Sequence, residues 1–215
     1  MCNEAYRRTQ LGEVAQDWGQ TRIPLRFPEG KPNFPPLDSI RITDRLEIIR
    51  PTADSSAAGE AEMVTRRWSW PGGGAGGGGA GRGKPVYNFR ADGRTIAVGQ
   101  RCLIPVDGFF EFTAPPQPDP AAPKPAKQPL KSKWAFTVPG HAWFCIAGIW
   151  RSDPAVGEAW AMLTCEPGPD IAPYHSRQVV VLTPPDYARW LDPAVPAAAL
   201  CRPSPAGTLV ATQVR

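Results

Sequence analysis

The sequence predicts an α+β domain, a mostly β core carrying a few short helices, and three observations predict it. Short runs rich in β-branched and aromatic residues recur along the chain, and two short segments show helical spacing instead. Proline and glycine, 27 and 21 residues, gather in two blocks that leave those runs intact. In residues 1–20, Leu11, Val14, Ala15 and Trp18 fall at i, i+3, i+4 and i+7, which predicts a short amphipathic helix. Prolines forbid a long helix over 21–36. From Ser39 to Arg50 apolar and polar residues alternate up to the pair Ile48-Ile49, which predicts one strand. Met63–Trp70 reads as a further strand. The runs Val86–Phe89, Cys102–Phe112, Trp134–Val138, Trp143–Trp150, Ala159–Cys165 and Gln178–Leu182 read as the strands of the core. Pro184–Asp192 places proline at a helix start and Tyr187, Trp190 and Leu191 on one face, which predicts a second short helix.

At 215 residues the chain buries about 70% of its unfolded surface, enough for a core without disulfides or a structural metal. One domain spanning 1–215 is expected, interrupted by a flexible Gly-rich loop at 71–85 and an extended Pro/Lys-rich loop at 113–133. The Gly-rich run contains Gly78-x4-Gly83-Lys84, superficially a phosphate-binding loop. Pro85 and a strand follow it, with no Ser or Thr for magnesium and no helix to aim amides, so that reading is rejected. The net charge of +4 is too diffuse to identify a polyanion partner. Cys2, Cys102, Cys145, Cys165 and Cys201 form an odd set without a CxxC pair, joined by only two histidines, so no metal site, cofactor or disulfide framework is expected. The chain shows neither an export signal nor an apolar run of about 20 residues. These features predict a cytoplasmic monomer with reduced thiols.

Cys2 carries the most chemical information. Loss of Met1 leaves a thiol and an α-amine on one residue, with reference pKa values of about 8.5 and 8, and an aldehyde can react with both to close a five-membered thiazolidine. Three further groups stand where apolar runs end. Asn88 and Arg90 share one strand face, an amide beside a guanidinium. Glu111 is a lone carboxylate in an apolar run, where desolvation raises its pKa toward proton-transfer range. His175 and Arg177 offer a proton donor near pH 7 and a group able to hold a phosphate.

An initiating Met-Cys, the Asn88-Phe89-Arg90 segment, the RCLIPVDGFFEF run of Arg101–Phe112, the AGIW of Ala147–Trp150 and His175-Ser176-Arg177 occur in one order along the chain. In these motifs the sequence resembles the SOS-response-associated peptidase family, the abasic-site processing proteins. A looser match runs through Met63–Pro71, which contains TRRWSWP. The resemblance implies a barrel-like β core and a positively charged cleft for single-stranded DNA. It further implies that Cys2, freed of Met1, captures the ring-opened aldehyde of an abasic site as a DNA–protein crosslink. Asn88 would then position the N-terminal residue or the sugar, Glu111 would shuttle protons at the α-amine, and His175 would assist ring opening and lyase-type steps. Arg90 and Arg177 would bind the flanking phosphates. Arg67, Trp68 and Phe112 would complete the DNA contacts, Phe112 by base stacking.

The sequence departs from the family pattern at Glu4, where an arginine is common, at Gln178-Val179 after the histidine motif, and in the Gly-rich run that replaces a Trp-bearing segment. Two other readings accompany the capture mechanism. One is an N-terminal-nucleophile cysteine peptidase that removes its own Met1; the other is a non-catalytic paralogue that binds single-stranded DNA.

Overall fold

The computed structural model describes residues 2–52, 59–72, 83–115 and 129–215. Its strands are β1 (Glu4–Arg7), β2 (Leu25–Arg26), β3 (Leu37–Arg41), β4 (Arg45–Pro51), β5 (Ala61–Trp68), β6 (Trp70–Gly72), β7 (Gly83–Val86), β8 (Asn88–Arg90), β9 (Arg101–Val106), β10 (Gly108–Thr113), β11 (Ser132–Thr137), β12 (Phe144–Asp153), β13 (Gly157–Cys165), β14 (Gln178–Val179), β15 (Val181–Leu182) and β16 (Val210–Gln213). Two helices, α1 (Leu11–Trp18) and α2 (Pro184–Leu191), match the two expected from helical spacing.

Strands β5, β4, β9, β12 and β13 pair in that order, and β13 returns to β5 in parallel, closing a five-stranded barrel. Alternation explains the two sides of its wall. Ile48, Val64, Ile104, Ile146 and Met162 fill the interior, while Ile49, Met63, Leu103, Ala147 and Leu163 face Val14 and Trp18 of α1 and Tyr187 and Trp190 of α2. At the parallel closure Trp68 lies opposite Trp160, their rings stacked at 5.2 Å and both fully buried. Such a pair contributes roughly 0.5–1.5 kcal/mol beyond its burial. A second sheet, ordered β16-β11-β10-β1-β3, lays Phe109, Phe136 and Ile40 against the barrel interior, so one α+β domain is built around a mostly antiparallel β core.

Five expected strands each prove to be two: 63–70 parts into β5 and β6, 86–89 into the end of β7 and β8, 178–182 into β14 and β15, and two further breaks carry the chain between the five-stranded sheet and the barrel. The chain of 39–50 breaks at Ile42–Asp44, leaving β3 in the five-stranded sheet and β4 in the barrel. Thr43 takes φ 85 there, and the Asp44 carboxylate accepts from Arg41 N–H at 2.8 Å. The run 102–112 breaks at Asp107, whose carboxylate accepts from the backbone N–H groups of Arg8 and Thr9 at 2.7 and 3.0 Å. Gly108 follows because a Cβ there would sit 2.5 Å from the Tyr6 ring. The two loops are also narrower at their edges than expected. Trp70 pairs with Val86 and Gly72 with Gly83, and Lys84 lies on strand β7; residues 73–82 of the Gly-rich run lie outside the described residues. Thr113, Ser132 and Lys133 belong to strands, and 116–128 lie outside the described residues.

Candidate functional site

The pairing of β1 with β10, Glu4 opposite Phe110, lays the N-terminal segment along the strand that carries Glu111. Cys2 is therefore buried, 1% exposed, and its backbone N–H donates to the Glu111 carboxylate. The Cys2 thiol donates to the Glu4 carbonyl at 3.4 Å. Burial, and then the negative charge of Glu111, push that thiol far above its ordinary pKa, so it stays protonated at neutral pH. Burial also dominates Glu111: its pKa is pushed up to about 7, against the opposing pull of the amino-terminal charge and of the Cys2 N–H. From the other side β8, held in parallel on β13, brings in Asn88, whose Nδ2 donates to the Cys2 carbonyl at 2.7 Å. Asn88 Oδ1 is buried without a hydrogen bond among the described residues, an acceptor facing the same site.

His175 ends a turn in which its own N–H donates to Ile171 O at 3.0 Å. Its ring is half-buried, and burial followed by the amino-terminal positive charge lowers its pKa. Its Nδ1 stands 2.9 Å from the Arg177 backbone nitrogen and 3.1 Å from the Arg177 carbonyl oxygen, so the backbone of Arg177 fixes the ring in either tautomer. Burial thus favours the uncharged form of both groups, raising the Glu111 carboxyl and lowering the His175 imidazole.

The remaining expected residues divide. Arg90 is exposed, and its side chain makes no ion pair or hydrogen bond among the described residues. Arg67 is half-buried and donates to Thr43 O at 3.3 Å. Phe112 is half-buried and lines a groove of 420 Å³ with Asn3, Glu4, Arg41, Ile42 and Lys131, beside the N-terminal segment.

Two expectations are corrected. Trp68 is a core residue, stacked on Trp160 with Nε1 donating to Tyr87 O at 2.9 Å, so no face is left for a nucleobase. Arg177 is buried and already engaged. It pairs with Asp92 and with Glu166 (2.7 Å) and donates to Thr164 O at 2.9 Å. Two carboxylates cancel its charge, so it ties β8 to β13 instead of presenting an open phosphate clamp.

The departures at Glu4 and Gln178 also have structural reasons. Glu4 is buried and accepts from Lys133 Nζ at 2.8 Å and Ser39 Oγ at 2.7 Å. Gln178 accepts from Gly168 N at 2.6 Å and donates to Ser204 Oγ at 3.0 Å, bracing the turn that leads to His175. Among residues the sequence reading passed over, Trp134 lies directly opposite Glu111 and Tyr174 precedes His175, with their rings 4.7 Å apart. The aromatic at the head of an apolar run and the aromatic next to the histidine were the available signals. Among the described residues no cluster of His, Cys, Asp or Glu could hold a metal ion, and no helix is long and apolar enough to cross a membrane.

Comparison with known proteins places this geometry. A crystal structure of a Bordetella bronchiseptica protein superposes with a TM-score of 0.65 at 22% identity, covering 100% of both chains. One from Bacteroides thetaiotaomicron gives 0.65 at 17% identity, covering 100% of this chain and 92% of that one. A phage-related protein of Bordetella bronchiseptica gives 0.64 at 19% identity, with 100% and 94% covered. At these identities the likeness is one of fold. No functionally curated protein matches the chain. The family model described as SOS response associated peptidase (SRAP) matches residues 1–215, the whole chain, and the protein therefore belongs to the SRAP family.

Proposed function

We propose that the protein captures abasic sites in single-stranded DNA through Cys2 once Met1 has been removed. The observation that carries this reading is the bond from the Cys2 backbone N–H to Glu111. The nitrogen that becomes the α-amine already rests on a carboxyl group whose pKa is about 7. Hydrolysis of the Met1–Cys2 amide consumes one water and releases methionine. The freed amine then attacks the aldehyde carbon of the ring-opened sugar. Glu111 takes the proton shed by nitrogen and returns one to the departing hydroxyl, so that water leaves and an imine forms. The thiol closes on the imine carbon, and its proton ends on nitrogen as the thiazolidine forms. Overall, aldehyde and aminothiol give thiazolidine and one water.

The raised thiol pKa supports amine attack first and sulfur attack second. It weighs against a peptidase mechanism in which a thiolate attacks an amide, although the family description keeps that reading as the alternative. His175, its ring half-buried and fixed by the Arg177 backbone, is suited to exchange a proton with the sugar oxygen as the ring opens. The vacant acceptor of Asn88 can take a hydrogen bond from the new amine or a sugar hydroxyl. Arg90 supplies an uncommitted positive charge for a flanking phosphate.

Intact mass of the purified protein, alone and after incubation with a single-stranded oligonucleotide bearing one abasic site, tests the reading. Loss of Met1 and an adduct of protein plus oligonucleotide less one water are expected, with no adduct from Cys2→Ala. An undiminished adduct in Cys2→Ala sinks the mechanism, and peptide turnover without DNA favours the peptidase.

A further inference from the structure

We propose that Trp134 and Tyr174 form a stacking wall that takes the nucleobase next to the reacting sugar; this rests on the capture reading above. The β10–β11 register sets Trp134 opposite Glu111, and directly opposed residues of an antiparallel pair project from the same face of a sheet. Tyr174 is the neighbour of His175 in the chain. The pair therefore joins the strand bearing one proton-transfer group to the turn bearing the other, through rings 4.7 Å apart and inclined at 60°.

Both rings are held before any ligand arrives. Trp134 Nε1 donates to Thr113 Oγ1 at 3.0 Å, and Tyr174 stands edge-on to Phe136 at 5.2 Å. Phe109 and Phe136 of the same cluster are fully buried, whereas Trp134 and Tyr174 keep part of their surface open to solvent. An aromatic ring fixed in position and left half-covered beside a reaction centre offers a π-face at little entropic cost. The 60° inclination leaves no slot between the rings, so one base lies on the open side of the pair and is not sandwiched. The Lys133 ammonium lies over Phe110, at 3.7 Å, and pairs with Glu4, so it is committed elsewhere. Stacking without a charge partner predicts tolerance of base identity and dependence on the presence of a base.

The test compares single-stranded oligonucleotides carrying one tetrahydrofuran residue, which cannot open to an aldehyde, with oligonucleotides in which the 5′ or 3′ neighbour is also replaced by tetrahydrofuran. Binding is read by fluorescence anisotropy. The wild type is expected to bind roughly tenfold more weakly when one particular neighbour lacks its base. Trp134→Ala should bind the two oligonucleotides alike, and Trp134→Phe should restore the difference. If Trp134→Ala does not fold, Tyr174→Ala serves in its place. An equal penalty in wild type and variant, or no penalty in the wild type, overturns the wall. Repeating the series with a true abasic site separates the two ideas. No adduct on any oligonucleotide sinks capture itself, while an adduct indifferent to its neighbours sinks only the stacking wall.

Discussion

The Asn88 side-chain amide donates to the Cys2 carbonyl across 2.7 Å, joining two positions 86 residues apart, while its own oxygen stays buried and unbonded. Removing the donor leaves the Cys2 carbonyl unmatched at a cost of about 1–3 kcal/mol. Asn88→Ala should therefore slow crosslinking roughly tenfold. Asn88→Asp, which sets a carboxylate against that carbonyl, should slow it further. Single-turnover crosslinking rates for both variants check this ordering, and equal rates in Asp and wild type would remove Asn88 from the site.

Glu111 sets a pH window. Its folded pKa of about 7 lies above the ordinary value of 4.5, so between these values the unfolded chain releases a proton that the folded chain retains. The folded state binds more protons there, and stability falls as pH rises from about 4.5 to 7. Above that range the penalty is constant, on the order of 3 kcal/mol. Glu111→Gln keeps an acceptor for the Cys2 N–H and cannot ionise. It should match the wild type at pH 4.5, exceed it in urea midpoint by pH 8, and crosslink more slowly at pH 8. A midpoint difference that does not vary with pH contradicts the assignment.

Arg177 and Arg90 should separate cleanly. Arg177→Ala leaves Thr164 O unmatched beside a buried gap, while the Asp92 and Glu166 side chains, 42% and 70% exposed, stay solvated, so the loss should be about 1–3 kcal/mol. Arg90→Ala should leave thermal unfolding within about 0.5 kcal/mol of wild type. If Arg90 holds one phosphate, its loss lowers the salt slope of single-strand binding by about 0.7 and matters most at low salt. Denaturation and a salt titration of binding, run on both variants, decide the point.

Glu4 and Lys133 form a reversible pair. Glu4→Arg alone places a third cation beside Lys133 and Arg41 and should destabilise the fold by about 1–3 kcal/mol. Adding Lys133→Glu restores an opposite-charge pair in the same place and should recover most of that loss. Thermal melts of the two single variants and the double variant measure the coupling.

Much of this molecule was legible before its structure. The helices follow from four and three apolar positions on one face, Asn88, Glu111 and His175 stand out because each interrupts or ends an apolar run, and Cys2 stands out by its place after Met1. The sheet corners were not legible because alternation continues through them. Ile42–Asp44 and Asp107–Gly108 change sheets without breaking the apolar pattern, although Asp107-Gly108 is itself a turn pair that could have marked the corner. Nor could the sequence separate a stacking tryptophan from a core one, since Trp68 looks the same in either role. Arg177 read as a free cation because Asp92 lies 85 residues away and Glu166, 11 residues away, meets it only through the turn between β13 and β14.

The parallel seam between β5 and β13 also orders events in time. Cys2 precedes β13 in chain order, but Asn88 is placed by pairing on β13, and the His175 turn follows β13. A growing chain therefore carries the Cys2 thiol without the groups that surround it in the finished fold until β13 has been made. The candidate site comes into being all at once, late, when the barrel shuts and Trp160 meets Trp68.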